Sequence, residues 1–233
     1  MTSLIKVGKF APSSTALLLC DMQVKFKPSI FNFDNVVSNS NRVLHAAQVM
    51  SMPTFATEQY PKGLGPTVPE LEISKYNITP HAKTCFTMCI PQVMKEIEEQ
   101  KLKSVILCGI ETQACITATS LGNFFNMIIF RRNNVLLNIP LINSVLLLLL
   151  SIFISPDLLE LGVDVHLPMD CISSRSNFDR KVALERLKQS GAYLTSCEAV
   201  ILAMAPDAAH PQFKGIQKLV MQPSLDTGLD PPK

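Results

Sequence analysis

Three short stretches carry side chains that could do chemistry together. Residues 16–20 (Ala-Leu-Leu-Leu-Cys) form an apolar run that ends in Asp21-Met22-Gln23, so a carboxylate follows directly on a buried segment. Gly109-Ile-Glu-Thr-Gln-Ala-Cys115 places a thiol a few residues past a second apolar run. Ala82-Lys83-Thr84-Cys85 supplies a cation after a long stretch rich in proline and glycine. A thiol that opens a helix meets unbonded N–H groups and the positive end of the helix dipole, and both favour thiolate. A thiolate attacks carbonyl carbon, a carboxylate nearby carries the proton, and a lysine beside the two stabilises both anions. Each residue also has a plainer reading: Asp21 as a turn or capping aspartate, Cys115 as a small buried hydrophobe, Lys83 as a solvated charge.

Other chemistries find less support. The histidines are His45, His81, His166 and His210, with no paired spacing to suit zinc. Cys85 and Cys89 stand four apart without a matching second pair, so no structural metal is expected. Neither a Walker A sequence nor Gly-x-Gly-x-x-Gly occurs, so no nucleotide cofactor is expected either. Spacing alone leaves a cysteine–histidine dyad open, but no histidine stands beside a strand end as Asp21 does.

The chain has 233 residues, enough for one sizeable α/β domain and short for two. Lys plus Arg is 21 against 19 for Asp plus Glu, with no basic stripe, so a nucleic-acid partner is not expected. Charged residues are 17% and hydrophobic residues 47%, which excludes disorder for most of the chain. Seven cysteines, an odd count spread along the chain, do not make a disulfide framework. The first ten residues hold no apolar stretch of signal-peptide length. A reducing compartment is expected, the cytoplasm first, with nucleus or mitochondrion also compatible.

These residues need elements to position them. Apolar runs predict strands over 16–20, 53–57, 104–109, 163–168 and 193–195. Helical spacing predicts helices over 36–50, 92–100, 111–121, 157–161, 178–189 and 198–204, with a long loop over 60–69. Strands alternating with helices indicate a parallel sheet with right-handed crossovers. Functional groups then gather at the carboxyl ends of the strands, where Asp21 and Cys115 fall. The prolines and Gly228 beyond residue 222 predict a disordered tail over 223–233.

One segment does not fit this pattern. Residues 133–154 carry no charge and are long enough to span a membrane, with Arg131 and Arg132 flanking them. Pro140, Asn134, Asn138 and Asn143 argue against a span, and predicted strands of one sheet lie on both sides of it, so no membrane partner is expected. Joining Leu121 to Asp157 yields one helix of ordinary length ending in Gly162. Residues 122–156 therefore read as an insertion that breaks a crossover helix, of the kind a retained intron or gene-model error leaves. The expected organisation is one domain over 1–222 interrupted by that insertion.

Taken together, Asp21-Met22-Gln23, Lys83 within Ala-Lys-Thr-Cys-Phe, and Gly109-Ile-Glu-Thr112-Gln-Ala-Cys115 resemble the isochorismatase-like cysteine hydrolase family. The likeness covers roughly residues 10–220 except 122–156. It implies a three-layer α/β/α sandwich with a six-stranded parallel sheet and a catalytic triad of Asp21, Lys83 and Cys115. It further implies an oxyanion hole from the backbone N–H groups of Glu111 and Cys115, reached through a strained cis bond between Ile110 and Glu111. Gln23, Phe26, Ile110 and Thr112 would line the substrate pocket, although Phe26 could equally be core. Family members that bind a metal use an Asp-x-His in the second-strand loop. This chain has Gln59-Tyr60-Pro61 there, so the metal is not carried over. The resemblance implies hydrolysis of a small-molecule amide or related C–N or acyl bond through a thioacyl-enzyme, substrate unknown. Homo-oligomerisation or a protein partner is left open. The alternatives are a non-catalytic binding or regulatory protein on the same fold, or a chain inactivated by the insertion.

Overall fold

The computed structural model describes residues 8–121 and 158–229. Residues 1–7, 122–157 and 230–233 lie outside them, and with them the segment that the sequence reads as an insertion. Seven strands form one parallel sheet: β1 (Thr15–Cys20), β2 (Thr54–Gln59), β3 (His81–Lys83), β4 (Ser104–Ile110), β5 (Asp164–Pro168), β6 (Ile172–Ser173) and β7 (Tyr193–Thr195). Their order is β3-β2-β1-β4-β5-β7, with β6 paired to β4 outside that path. The expected six strands make the continuous path. The seventh arises because β5 pairs only with Ser104 to Ile106 of β4 and then turns away. Ile172 and Ser173 take up the vacated edge at Gly109 and Ile110.

Every residue of β1 and β4 is buried, which is why both read as unbroken apolar runs rather than alternating ones. Their side chains still alternate between faces. Leu17, Leu19, Ile106, Cys108 and Ile110 join one core with helices α1 (Phe33–Val49), α6 (Cys197–Met204) and α7 (Phe213–Val220). Ala16, Leu18, Cys20, Val105 and Leu107 join the other, with α3 (Pro91–Glu99) and α5 (Asn177–Gln189). The result is the three-layer α/β/α arrangement. Side-chain caps set two helix starts: Ser176 accepts from the Asp179 N–H and Ser196 from the Ala199 N–H.

Four expectations need correction. The loop over 60–69 contains a short helix, α2 (Pro61–Leu64). The single helix over 111–121 is instead a π-helical turn, Thr112–Ile116, followed by α4 (Thr117–Leu121). The helix over 157–161 appears as a run of turns from Leu158 to Gly162, and Asp157 lies outside the described residues. Residues 223–229 are ordered: Arg180 donates to the Thr227 carbonyl at 2.7 Å, Asn39 to that of Leu225 at 3.0 Å, and Arg42 to Ser224 Oγ at 2.8 Å. Buried polar groups that need acceptors hold this strap, and composition alone does not show them. No helix among the described residues is long and apolar enough to cross a membrane.

Candidate active site

Parallel register brings the ends of β1, β2, β3 and β4 to one rim. Cys20 is level with Thr57 of β2 and Gly109 of β4, and Gln59 is level with Lys83 of β3. Asp21 follows β1 with φ 54°, a left-handed conformation that costs a non-glycine residue about 1–2 kcal/mol. The turn aims its carboxylate inward, where it is fully buried. Thr57 Oγ1 donates to Oδ1 at 2.8 Å, and Lys83 Nζ to Oδ2 at 2.6 Å.

Lys83 is 5% exposed, and its ammonium sits inside a cage of acceptors. Besides Asp21 it donates to Gln59 Oε1 at 2.8 Å and to the Phe86 carbonyl at 2.9 Å. Cys115 Sγ lies 4.0 Å from Nζ. Burial alone pushes the lysine pKa down, but the attraction of Cys20, Asp21 and Cys115 outweighs it and leaves the pKa raised. The ammonium is therefore a permanent charge between the carboxylate and the thiol.

Cys115 sits in the π-helical turn and is 4% exposed. The turn is built on Gly109, at φ 146°, where an added Cβ would lie 2.3 Å from the Cys20 carbonyl oxygen. No cis peptide bond occurs among the described residues, so the expected cis linkage from Ile110 to Glu111 is absent. Glu111 reverses the chain instead by adopting φ 56°. Its carboxylate is fixed from outside by Arg175 Nε at 2.8 Å and from within the turn by Gln113.

The three expected catalytic side chains thus share one cluster, and the expected pocket residues do not open onto it. Gln23 is fully buried, and its amide is spent on backbone: it donates to the Gln59 and Gly65 carbonyls and accepts from the Gln59 N–H. Ile110 has no exposure, and Phe26 joins the same core at 7%. Thr112 ties the turn to β6 through the Ser173 carbonyl at 2.9 Å. A cavity of about 490 Å³ does open beside Lys83, lined by Tyr60, Thr84, Cys85, Ile90 and Pro91 among others. Thr57, Gln59 and Cys20 are contributors that sequence reasoning missed. Their signal was register, since Thr57 and Gln59 lie in the last three residues of β2, which adjoins β1, and Cys20 ends β1 itself. Sulfur atoms of Cys20 and Cys115 and an Asp21 oxygen lie within 4.8 Å of one another, a donor set of the kind soft metals use. The Lys83 ammonium already paired with Asp21 opposes a cation there.

A family model described as the isochorismatase domain matches residues 15–126. Isochorismatase domain-containing protein 2 of Xenopus laevis is 43% identical over 98% of this chain and 94% of its own length. The Danio rerio protein of the same name is 44% identical over 96% of this chain and 95% of its own length. Among solved structures, that of the MAR1 ribonuclease from Caenorhabditis elegans superposes with a TM-score of 0.73. It shares 35% identity and covers 97% of this chain and 98% of its own. The chain belongs to the isochorismatase domain family, whose fold is of a hydrolase type.

Proposed function

We propose that this protein is a cysteine hydrolase that cuts a small-molecule amide or related C–N or acyl bond. The observation that carries the reading is the convergence of Asp21, Lys83 and Cys115, far apart in sequence, in one buried cluster. Asp21 takes the Cys115 thiol proton, and the thiolate attacks the carbonyl carbon. Negative charge then develops on the carbonyl oxygen, towards which the Glu111 and Cys115 N–H groups point in this reading. Asp21 returns the proton to the leaving nitrogen, giving a thioacyl-enzyme. Water attacks that acyl group with Asp21 again taking the proton, and the thiolate is released. Lys83 binds neither substrate atom in this scheme. It keeps carboxylate and thiolate in register and balances their charge. Substrate approaches through the cavity beside Lys83.

Incubation with a panel of small amides, followed by mass spectrometry, tests this. Turnover is expected with at least one amide and is lost by about 10³-fold or more in Cys115→Ala. Full turnover by that variant would remove the sulfur from the mechanism. The C. elegans relative is named a ribonuclease, which makes RNA a second candidate substrate. A net charge of +2 and a buried cluster with a single, already paired lysine favour the small acyl compound. RNA cleavage that survives Cys115→Ala would favour the second reading.

A further inference from the structure

The triad has a neighbour it does not use. Cys20, the last residue of β1, points its thiol at Asp21 Oδ2 at 3.5 Å, and its sulfur lies within 4.8 Å of Cys115 Sγ. Burial pushes the Cys20 pKa well above its ordinary value, so this sulfur rests as a thiol. A thiolate oxidised by a hydroperoxide becomes a sulfenic acid, and a second thiol in reach decides whether it stops at a disulfide or is lost to higher acids. We propose that Cys20 is the resolving thiol for Cys115, making the pair a reversible oxidation site in which a hydroperoxide converts the active centre to a Cys20–Cys115 disulfide. The inference rests on Cys115 being a reactive thiolate, as in the proposed function.

The steps balance. Cys115 thiolate attacks one peroxide oxygen, the O–O bond breaks, and the other oxygen leaves as an alcohol or water after taking a proton. The Cys20 sulfur then attacks the sulfenic sulfur. An S–S bond forms and the S–O bond breaks, while the Cys20 proton passes to Asp21, its hydrogen-bond partner, and on to the departing hydroxide. Two thiols and one hydroperoxide give one disulfide, water and the alcohol. Reaching the roughly 2.0 Å of an S–S bond requires at most about 2.8 Å of approach, the scale of a side-chain rotation. The chain carries its own comparison in Cys171 and Cys197, two further buried thiols. The Cys171 pKa is raised by burial and by Cys108, that of Cys197 by Cys171 and by burial. Both stay protonated and do not start the reaction.

Reduced protein is treated with hydrogen peroxide, alkylated, digested and read by mass spectrometry. The expected result is a linked pair of peptides containing Cys20 and Cys115, short of two hydrogens, with Cys115 labelling restored by dithiothreitol. In Cys20→Ala the link is absent, and Cys115 gains two oxygens that dithiothreitol does not remove, leaving less than about a tenth of its labelling recoverable. Cys20→Ser, which keeps a donor for Asp21, gives the same result and covers the case in which the alanine variant misfolds. Gain of two oxygens at Cys115 in the unaltered protein, or a disulfide to another cysteine, overturns the proposal. Cys115 that peroxide leaves unmodified in every variant overturns it too, and in that case the thiolate reading of the active site fails with it.

An independent observation carries a second inference. The turns from Leu158 to Val163 have the bonding of a Schellman helix end: Gly162 at φ 77° donates to the Leu159 carbonyl at 3.1 Å, and Val163 to that of Leu158 at 2.9 Å. The Leu159 N–H donates to the Ser120 carbonyl at 3.3 Å. With residues 122–156 taken out, Leu159 is the fourth residue after Ser120, the spacing of an α-helical bond. We infer that α4 and Leu158–Gly162 are one crossover helix and that residues 122–156 are an insertion the fold does not need. Deleting 122–156 is expected to leave thermal unfolding cooperative, with a midpoint at or above that of the full chain. Deleting 122–155 or 122–157 turns the last segment by about 100° and lowers the midpoint. Equal midpoints for all three deletions, or failure of the 122–156 deletion to fold, would sink the inference.

Discussion

The crossover that carries Cys115 begins at Gly109 and closes at Gly162, and the two glycines are required for different reasons. Both have positive φ, 146° and 77°. At Gly109 an added Cβ meets the Cys20 carbonyl oxygen at 2.3 Å and Cys20 Cβ at 2.6 Å, atoms of the central strand that have nowhere to go. At Gly162 nothing lies within 4 Å of that position. The active-site end is defined by crowding and the far end only by backbone conformation. Two left-handed non-glycine residues, Asp21 and Glu111, follow β1 and β4 at this rim, and both carboxylates are anchored by cations.

This contrast is open to measurement by urea denaturation. Gly109→Ala should lose about 4 kcal/mol or more, or fail to fold, because strand backbone must shift. A loss near 1 kcal/mol would mean that the rim is soft and the crowding argument is wrong. Lys83→Met leaves the Asp21 charge buried without its partner and is expected to cost about 3–5 kcal/mol. A near-neutral result would show that the pairing with Lys83 is not what allows the Asp21 carboxyl to be buried. Gly162→Ala pays only for its dihedral angle, about 1 kcal/mol. If it costs as much as Gly109→Ala, the difference between the two ends disappears.

The smallest effect concerns β5, the strand that follows the crossover. His166 lies there, 2% exposed, edge-on to Phe10 and stacked on Tyr193. Burial lowers its pKa, so the folded protein holds the ring neutral. Below about pH 6.5 the unfolded chain binds a proton that the folded one refuses, and stability falls as pH drops from there towards the folded pKa. His166→Phe should flatten that slope between pH 6.5 and 5 while leaving the Gly109 and Gly162 results unchanged. An unaltered slope would place the proton uptake elsewhere.

Much of this was legible in the chain because the signals were local. The continuous burial of β1 and β4, the carboxylate after one and the thiol after the other, and the lysine between them all follow from short runs of residue types. What was missed depends on neighbours in space. Thr57 and Gln59 join the cluster because parallel register sets them beside Cys20 and Lys83, which no local pattern encodes. Gln23 stands close to Asp21 in sequence, but its amide faces the backbone carbonyls of Gln59, at the end of β2, and of Gly65. The π-helical turn that seats Cys115 looks like any helix start in composition. The tail reads as disordered from its prolines, and the hydrogen bonds that Arg180, Arg42 and Asn39 make to residues 224–227 hold its described part in place.

That strap bears on how the interior is assembled during synthesis. Arg42 finds acceptors at Leu219 and Ser224, 177 and 182 residues later in the chain, and Arg180 finds its own at Thr227. Burial draws the Arg180 pKa down to about 10, yet it remains a cation in the interior. The Arg42 guanidinium leaves the ribosome well before its acceptors, so a nascent chain carries a positive charge with no place to be buried, whereas Arg180 has one acceptor, the Met169 carbonyl at 2.6 Å, already made. Final closure around α1 and α5 is deferred until residues 219–227 have been made.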